Sequence, residues 1–203
     1  MTSLVLPSMP SEDTSFAQLV SLACHDLRTP LATIYGFSRT LTRMTELGEP
    51  ATKYLGMVGT ASEQLGELLD ELSLAARIQN GRYEPELREL DTRELAEGAV
   101  ERLGSDRVAV AGSGGTVSVD AGATRRAISA LAQCALRHGG LERVTVTAEG
   151  RELRIEPITP ASAPVVLGQE LRDLGAAVAV RLVEALAGSV SLEGETLVVR
   201  FSS

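Results

Sequence analysis

The chain has 203 residues, 44% of them hydrophobic and 23% charged, a composition typical of one or two globular domains and not of a disordered chain. No apolar run approaches the ~20 residues that cross a bilayer, and the N-terminal residues lack the basic segment of a secretion signal. The net charge of −8 argues against binding along a nucleic-acid backbone, and two cysteines are too few for a disulfide framework or a Cys-based zinc site. We therefore expect a cytoplasmic protein without membrane or nucleic-acid partners.

Two long helices are predicted near the start of the chain, after a flexible tail at residues 1–10. Apolar residues recur at alternating steps of four and three from Phe16 to Met44 and again from Leu55 to Ala76. Together with the turn signal at residues 48–50, this pattern predicts an antiparallel hairpin over residues 11–82. A lone hairpin leaves one side of each apolar series exposed, so we expect a second copy to complete a four-helix bundle.

Residues 83–203 have the mixed pattern of an α+β domain. Helices are predicted at residues 92–103, 123–138 and 169–187, and strands at 107–111, 116–120, 143–148, 152–156, 189–192 and 196–201. The glycine-rich residues 112–115 lie between two strands and precede no helix, which predicts a hairpin turn there. Helices on one face of a mainly antiparallel sheet form an α/β sandwich.

The residues best suited to chemistry lie together in the segment His-Asp-Leu-Arg-Thr-Pro at 25–30. At 100° per residue His25 points away from the apolar series, so its imidazole faces solvent, where it is largely neutral and able to attack phosphorus. Asp26 can orient the ring or take its proton, Arg28 can offset phosphoryl charge, and Thr29 lies one turn further along. The alternative is a solvated helix face without a catalytic role. A metal-dependent phosphohydrolase needs more ligands than two histidines supply.

The segment SLACHDLRTPL at residues 21–31 resembles the phosphoacceptor box of sensor histidine kinases. In that family a histidine on a dimeric helical hairpin is phosphorylated and passes the phosphoryl group to an aspartate of a response-regulator receiver domain. The resemblance implies that His25 is the phosphoacceptor and Asp26 its acid/base partner. It also implies that Thr29 positions a water molecule for dephosphorylation.

The second half resembles the ATP-binding sandwich of the same family in outline, with departures at the positions that bind nucleotide. The predicted helix at residues 126–139 is similar to the helix that carries the asparagine box, with Ala130 and Cys134 in place of its two asparagines. The second asparagine normally helps to hold Mg²⁺, and a thiol is a poor substitute for its oxygen. We expect Cys24 and Cys134 to be packing residues and His138 to interact with the helix dipole.

Two further departures affect the adenine and phosphate positions. Residues 156–164, where the family has an Asp-x-Gly-x-Gly loop, contain neither Asp nor Gly, and Glu156 is the nearest acid. The glycine-rich segment before the next helix is reduced to Leu174-Gly175-Ala-Ala, and the bulkier residues hinder a close approach of phosphate to the backbone. We therefore expect a degenerate ATPase domain with no bound nucleotide and no bound metal.

The intact box and the altered nucleotide site together resemble the dimeric histidine phosphotransferases of multistep phosphorelays. The expected function is transfer of a phosphoryl group between receiver aspartates through His25, without ATP and with Mg²⁺ supplied by the receiver. One alternative is a divergent but active histidine kinase, which would label His25 from ATP. The other is a non-catalytic dimeric adaptor that binds a kinase or receiver and functions without His25.

Overall fold

The computed structural model describes residues 12–43, 48–101 and 103–202, so the tail predicted at residues 1–10 lies outside the described part. The chain divides into two compact units, one ending at Tyr83 and the other beginning at Glu84. Among the described helices, none contains an apolar stretch long enough to span a membrane.

The first unit is a hairpin of two helices, α1 (Glu12–Thr42) and α2 (Glu49–Gln79). Buried residues recur at every seventh position of α1, namely Ala17, Cys24, Leu31 and Ser38. Seven residues are two helical turns, so these side chains form one stripe along the helix. The stripe differs from the predicted apolar series, of which Leu27 and Ile34 are exposed. Cys24 and Leu31 pack against Leu69 of α2, with Val20 and Leu72 beside them.

A second set of large apolar side chains on the hairpin is exposed. We call this set the apolar stripe; its members lie at helical spacing and are 38–67% exposed: Leu27, Ile34, Phe37 and Leu41 on α1, and Tyr54, Met57, Val58, Leu65 and Leu68 on α2. These α1 residues belong to the apolar series predicted from Phe16 to Met44, of which one side was expected to remain exposed on a lone hairpin. Contiguous apolar surface of this kind marks an interaction site.

The second unit contains seven strands and four helices among the residues described. In chain order they are β1 (Leu87–Asp91), α3 (Thr92–Val100), β2 (Val108–Gly114), β3 (Thr116–Asp120), α4 (Ala121–Gly139), β4 (Val144–Glu149), β5 (Glu152–Glu156), α5 (Ala163–Val166), α6 (Leu174–Ala185), β6 (Ser189–Glu193) and β7 (Thr196–Arg200). Five strands form a sheet in the order β2-β4-β5-β7-β6, while β1 and β3 form a separate pair.

The five-stranded sheet is antiparallel except for the parallel pair β2–β4. Side chains alternate between buried and exposed along β4 and β5, so one face of these strands is apolar. Helices α3 and α4 contact this part of the sheet, and α6 packs beside α4 and against β6. Leu131, Leu153, Ile155 and Leu182 are among the largest fully buried side chains of the resulting core. The predicted class, a helical hairpin followed by an α+β sandwich, is confirmed.

The predicted hairpin turn at residues 112–115 is wrong. Strand β2 pairs in parallel with β4, and β3 pairs with β1 in the other sheet. The glycines are required by close backbone contacts, because a side chain on Gly112 would collide with the carbonyl of Ala148 and one on Gly115 with the backbone of Gly150. These glycines therefore allow the chain to pass the end of β4 as it changes sheets.

Capping residues indicate where the helices begin more accurately than the spacing of apolar residues does. The helix predicted at residues 169–187 begins later, at α6, because the side chain of Asp173 accepts a hydrogen bond from the amide of Ala176 at 3.1 Å. Asp91 and Asp120 cap α3 and α4 in the same way. Strand β1 and the short helix α5 were not predicted.

Candidate functional site

His25 lies on α1 beside the core of the hairpin. Its side chain is 78% exposed, whereas the preceding Cys24 is buried against Leu31 and Leu69. Consecutive helical residues differ by 100° in direction, so burial of Cys24 turns the imidazole outward. The prediction that His25 faces solvent is confirmed.

Asp26 contacts the imidazole of its neighbour. Oδ1 of Asp26 lies 3.1 Å from Nδ1 of His25. A carboxylate only accepts hydrogen bonds, so Nδ1 carries the hydrogen in this contact and the lone pair of the neutral ring resides on Nε2. The arrangement places the Asp26 carboxylate on the Nδ1 side of the ring and leaves Nε2 on the other side.

Arg28 and Thr29 occupy the next turn of α1. The guanidinium of Arg28 donates to Asp70 of α2 at 2.8 Å, which links the two helices of the hairpin. Thr29 is exposed, and its carbonyl accepts a hydrogen bond from the hydroxyl of Thr33 at 3.0 Å. The structure thus places Thr29 near the surface one turn from His25, while it connects Arg28 to a residue of the opposite helix.

Helix α1 continues through Pro30. Proline has no backbone N–H, so the carbonyl of Asp26 lacks the hydrogen bond that an ordinary residue at position 30 would donate. The missing hydrogen bond lies in the turn after His25 and leaves the carbonyl oxygen of Asp26 without its helical partner.

The positions that the resemblance assigns to nucleotide lie in the second unit. Cys134 on α4 is fully buried, and burial, with a smaller contribution from the Asp173 carboxylate, raises the pKa of its thiol to about 12. Glu156 is exposed at the end of β5, where its carboxylate accepts a hydrogen bond from the hydroxyl of Thr196 at 2.9 Å. A protonated thiol is not the hard oxygen ligand that Mg²⁺ prefers, so these residues do not fit an Mg²⁺–nucleotide complex.

Comparison with known proteins relates the hairpin to one domain family. Residues 17–81 match the His Kinase A (phospho-acceptor) domain, a range that contains His25, α1 from Ala17 onward and all of α2. Over 77 residues the chain is 33% identical to the probable sensor histidine kinase TcrY of Mycobacterium tuberculosis, a match that covers 38% of this chain and 16% of TcrY. The hairpin of this chain is therefore similar to the phospho-acceptor domain of histidine kinases.

Solved structures share the fold of this chain. Full-length ShkA, solved in complex with AMPPNP, superimposes on 92% of this chain with a TM-score of 0.67 and 21% identity. The Acinetobacter baumannii histidine kinase AdeS superimposes on 88% of this chain and 97% of its own, with a TM-score of 0.55 and 19% identity. This chain spans 47% of ShkA, and the likeness concerns the order of the hairpin and the α/β domain.

Sequence patterns did not indicate Asp70 as part of the site. It lies 42 positions after Arg28 and is one of several acids along α2, none distinguished by spacing. Only the register between the two helices identifies the acid that Arg28 contacts.

Proposed function

We propose that this chain is a histidine phosphotransfer protein of a two-component phosphorelay, which passes a phosphoryl group between receiver aspartates through His25 without using ATP. The observation that carries the proposal is the exposed imidazole of His25 with Nδ1 held by Asp26 at 3.1 Å. This geometry fixes which ring nitrogen is free to react, on a surface open to a partner protein.

The transfer follows from the protonation of the imidazole. Nε2 of His25 attacks the phosphorus of a receiver's aspartyl phosphate, so the N–P bond forms as the P–O bond to the aspartate breaks and the receiver's carboxylate leaves. The ring gains positive charge, and Asp26 stabilises it through the Nδ1 hydrogen. The reverse attack by a second receiver's carboxylate restores the neutral imidazole. Mg²⁺ belongs to the receiver domains in this scheme.

Arg28 and Thr29 have accessory roles in the proposal. The guanidinium of Arg28, positioned by Asp70, offsets part of the charge on the phosphoryl group. The exposed hydroxyl of Thr29, one turn from His25, positions a water molecule that attacks the phosphohistidine when no receiver is bound. Thr29 therefore sets the rate of net dephosphorylation.

The absence of an ATP requirement is supported by the second unit. The expected magnesium position holds the buried thiol of Cys134, and Glu156, the acid nearest the expected adenine contact, is bonded to Thr196 at the sheet surface. We propose that this domain is a degenerate ATPase that serves receiver docking or support of a dimer.

Dimerisation of the hairpin is part of the same proposal. The apolar stripe on α1 and α2 is exposed in a single chain, and four helices are the usual way in which such a surface is buried. We propose that a second copy covers it and that each dimer carries two phosphoacceptor histidines.

The test uses the full chain and receiver domains that carry ³²P on aspartate. We expect acid-labile, base-stable label on the wild-type chain in the absence of ATP, and none on His25→Gln. With Mg²⁺ and γ-³²P-ATP alone, we expect no label. A failure of every cognate receiver to label His25 contradicts the relay.

The second candidate is an active histidine kinase. It is favoured by the likeness to the probable sensor histidine kinase TcrY and the histidine kinase AdeS, and to ShkA, which was solved with AMPPNP. The same experiment separates the two functions, because an active kinase labels His25 from ATP with no receiver present.

A further inference from the structure

Three side chains of the second unit meet between α4 and the start of α6. Cys134 and His138 are one turn apart on α4, and Asp173 immediately precedes α6. One potential ligand atom from each residue, the sulfur, an imidazole nitrogen and a carboxylate oxygen, lies within 4.8 Å of the other two. Within the described residues the fold thus assembles three different metal-binding groups at one point.

The imidazole of His138 has an unused nitrogen directed at this point. Nε2 is buried and makes no hydrogen bond. It lies 3.3 Å from Oδ2 of Asp173, a contact with the distance but not the geometry of a hydrogen bond. Apart from this contact at ion-pair distance, Nε2 makes no hydrogen bond within the described residues, so its lone pair is free to bind a cation.

The separation between the two atoms matches that of ligands on a shared metal ion. Zn²⁺ binds imidazole nitrogen and carboxylate oxygen at about 2.0–2.1 Å, and a tetrahedral angle then places these two atoms about 3.3 Å apart. Nε2 of His138 and Oδ2 of Asp173 are 3.3 Å apart without any rearrangement.

Asp173 is fixed so that one oxygen faces the cluster. Its Oδ1 accepts the hydrogen bond from the amide of Ala176 at 3.1 Å, which caps α6. Oδ2 also lies 3.3 Å from Nη1 of Arg137, a side chain that is 65% exposed. Because Arg137 reaches Oδ2 from the surface, its guanidinium can return to solvent when a cation takes that position.

Without a bound cation, negative charge on both Cys134 and Asp173 is unfavourable. A thiolate at Cys134 would lie within 4.8 Å of the Asp173 carboxylate, and two negative charges at that distance repel each other. A divalent ion among the three groups offsets the repulsion between thiolate and carboxylate, and its binding releases the thiol proton. Cys134 and His138 also lie toward the carboxyl end of α4, where the helix dipole favours positive charge.

We propose that Cys134, His138 and Asp173 form a binding site for one divalent transition-metal ion of the zinc type. Sulfur, nitrogen and oxygen donors together suit Zn²⁺, whereas Mg²⁺ requires oxygen. The ion takes three ligands from the protein and a fourth from water, and it joins α4 to the capped start of α6. The site belongs to the second unit and does not depend on the function proposed for the residues of α1.

Cobalt is the probe for the test. The full chain is stripped with a chelator and titrated with Co²⁺, which reports a thiolate ligand by a charge-transfer band in the near ultraviolet and tetrahedral geometry by intense visible bands. We expect both features at one Co²⁺ per chain, and their loss on addition of one equivalent of Zn²⁺. Absence of the charge-transfer band in the wild-type protein overturns the proposal.

Two cysteine variants provide a matched comparison. The described part of the chain has two free cysteines, both buried, and Cys24 lies in the hairpin. We expect Cys134→Ser to lose the charge-transfer band and Cys24→Ser to retain it. An unchanged band in Cys134→Ser overturns the proposal, and far-UV circular dichroism verifies that each variant is folded.

A third variant tests the carboxylate without removing the helix cap. Asparagine accepts the amide hydrogen bond of a cap as aspartate does, so Asp173→Asn keeps the start of α6 intact. We expect this variant to bind Zn²⁺ more weakly than wild type in competition with a chromophoric chelator. If Cys134→Ser fails to fold, the wild-type chain still tests the site. We expect Zn²⁺ to raise its melting temperature, and an unchanged melting temperature overturns the proposal.

Discussion

Arg28 on α1 donates to Asp70 on α2 across 2.8 Å, so a guanidinium three positions beyond the proposed phosphoacceptor is held by the opposite helix of the hairpin. The two side chains are 44% and 51% exposed. An ion pair with this exposure contributes at most ~1 kcal/mol to stability. Its main effect is therefore to hold the Arg28 guanidinium against α2.

Substitution of either partner separates the two roles of Arg28. We expect Arg28→Ala to slow phosphotransfer from a phosphorylated receiver several-fold, because charge support for the phosphoryl group is lost. Asp70→Ala releases the guanidinium but leaves its charge, so we expect a smaller change in the rate. Single-turnover transfer assays measure both. Equal loss in the two variants would show that Arg28 only links the helices.

Asp26 is predicted to act through the Nδ1 hydrogen of His25. Asp26→Asn keeps the size of the side chain but removes the negative charge that stabilises the imidazolium formed during transfer. General acid–base partners contribute about 10²–10⁴-fold, so we expect a loss of roughly 100-fold in the transfer rate. The assay is the initial rate of labelling of His25, with His25→Gln as the blank. A rate within twofold of wild type would exclude Asp26 from the chemistry.

The hairpin was predictable because its information is local. The heptad spacing of apolar residues predicts a long helix. Because each residue rotates the helix by 100°, His25 points away from those apolar residues. The direction of the imidazole and the identity of Asp26 as its neighbour therefore follow from the sequence. The contact with Asp70 does not follow from the sequence, because the register between the two helices is set by their packing.

The second unit was less predictable because its contacts are distant in sequence. Glycines near residue 112 have the pattern of a turn, yet they serve a close approach to Ala148 that only the assembled sheet reveals. Cys134 and His138 share a helix face that sequence spacing alone indicates. The third member of their cluster, Asp173, lies on another element, so the sequence supported the simpler assignment of a packing residue and a helix-dipole partner.

Dimerisation can be tested at the apolar stripe. Leu65 is 49% exposed on α2, and Leu65→Glu places a charge in the surface that we propose to be covered by a second copy. We expect the wild-type chain to sediment as a dimer and this variant as a monomer, because burial of an unpaired carboxylate is unfavourable. Leu171→Glu is the control, since Leu171 is an exposed leucine of the second unit. A dimer that persists in Leu65→Glu argues against the stripe.

Acid sensitivity of the second unit is predicted at Glu193 on β6. Its carboxylate accepts hydrogen bonds from Arg200 at 2.6 Å and Arg154 at 3.1 Å. These bonds, that of Arg200 first, lower the pKa of Glu193 from its ordinary value of about 4.5. Since the pKa is lower in the folded state than in the unfolded state, the stabilisation is present above about pH 4.5 and is lost as the pH falls below it.

Glu193→Gln removes the group that titrates. We expect the free energy of unfolding of this variant to fall less steeply than that of wild type as the pH drops below about 4.5, with a small difference because the side chain is partly exposed. Urea denaturation at a series of pH values measures it. Glu89→Gln, at an exposed position of β1, is the control that should follow the wild-type curve. If the Glu193→Gln curve instead runs parallel to wild type through this range, the two arginines do not stabilise the ionised carboxylate.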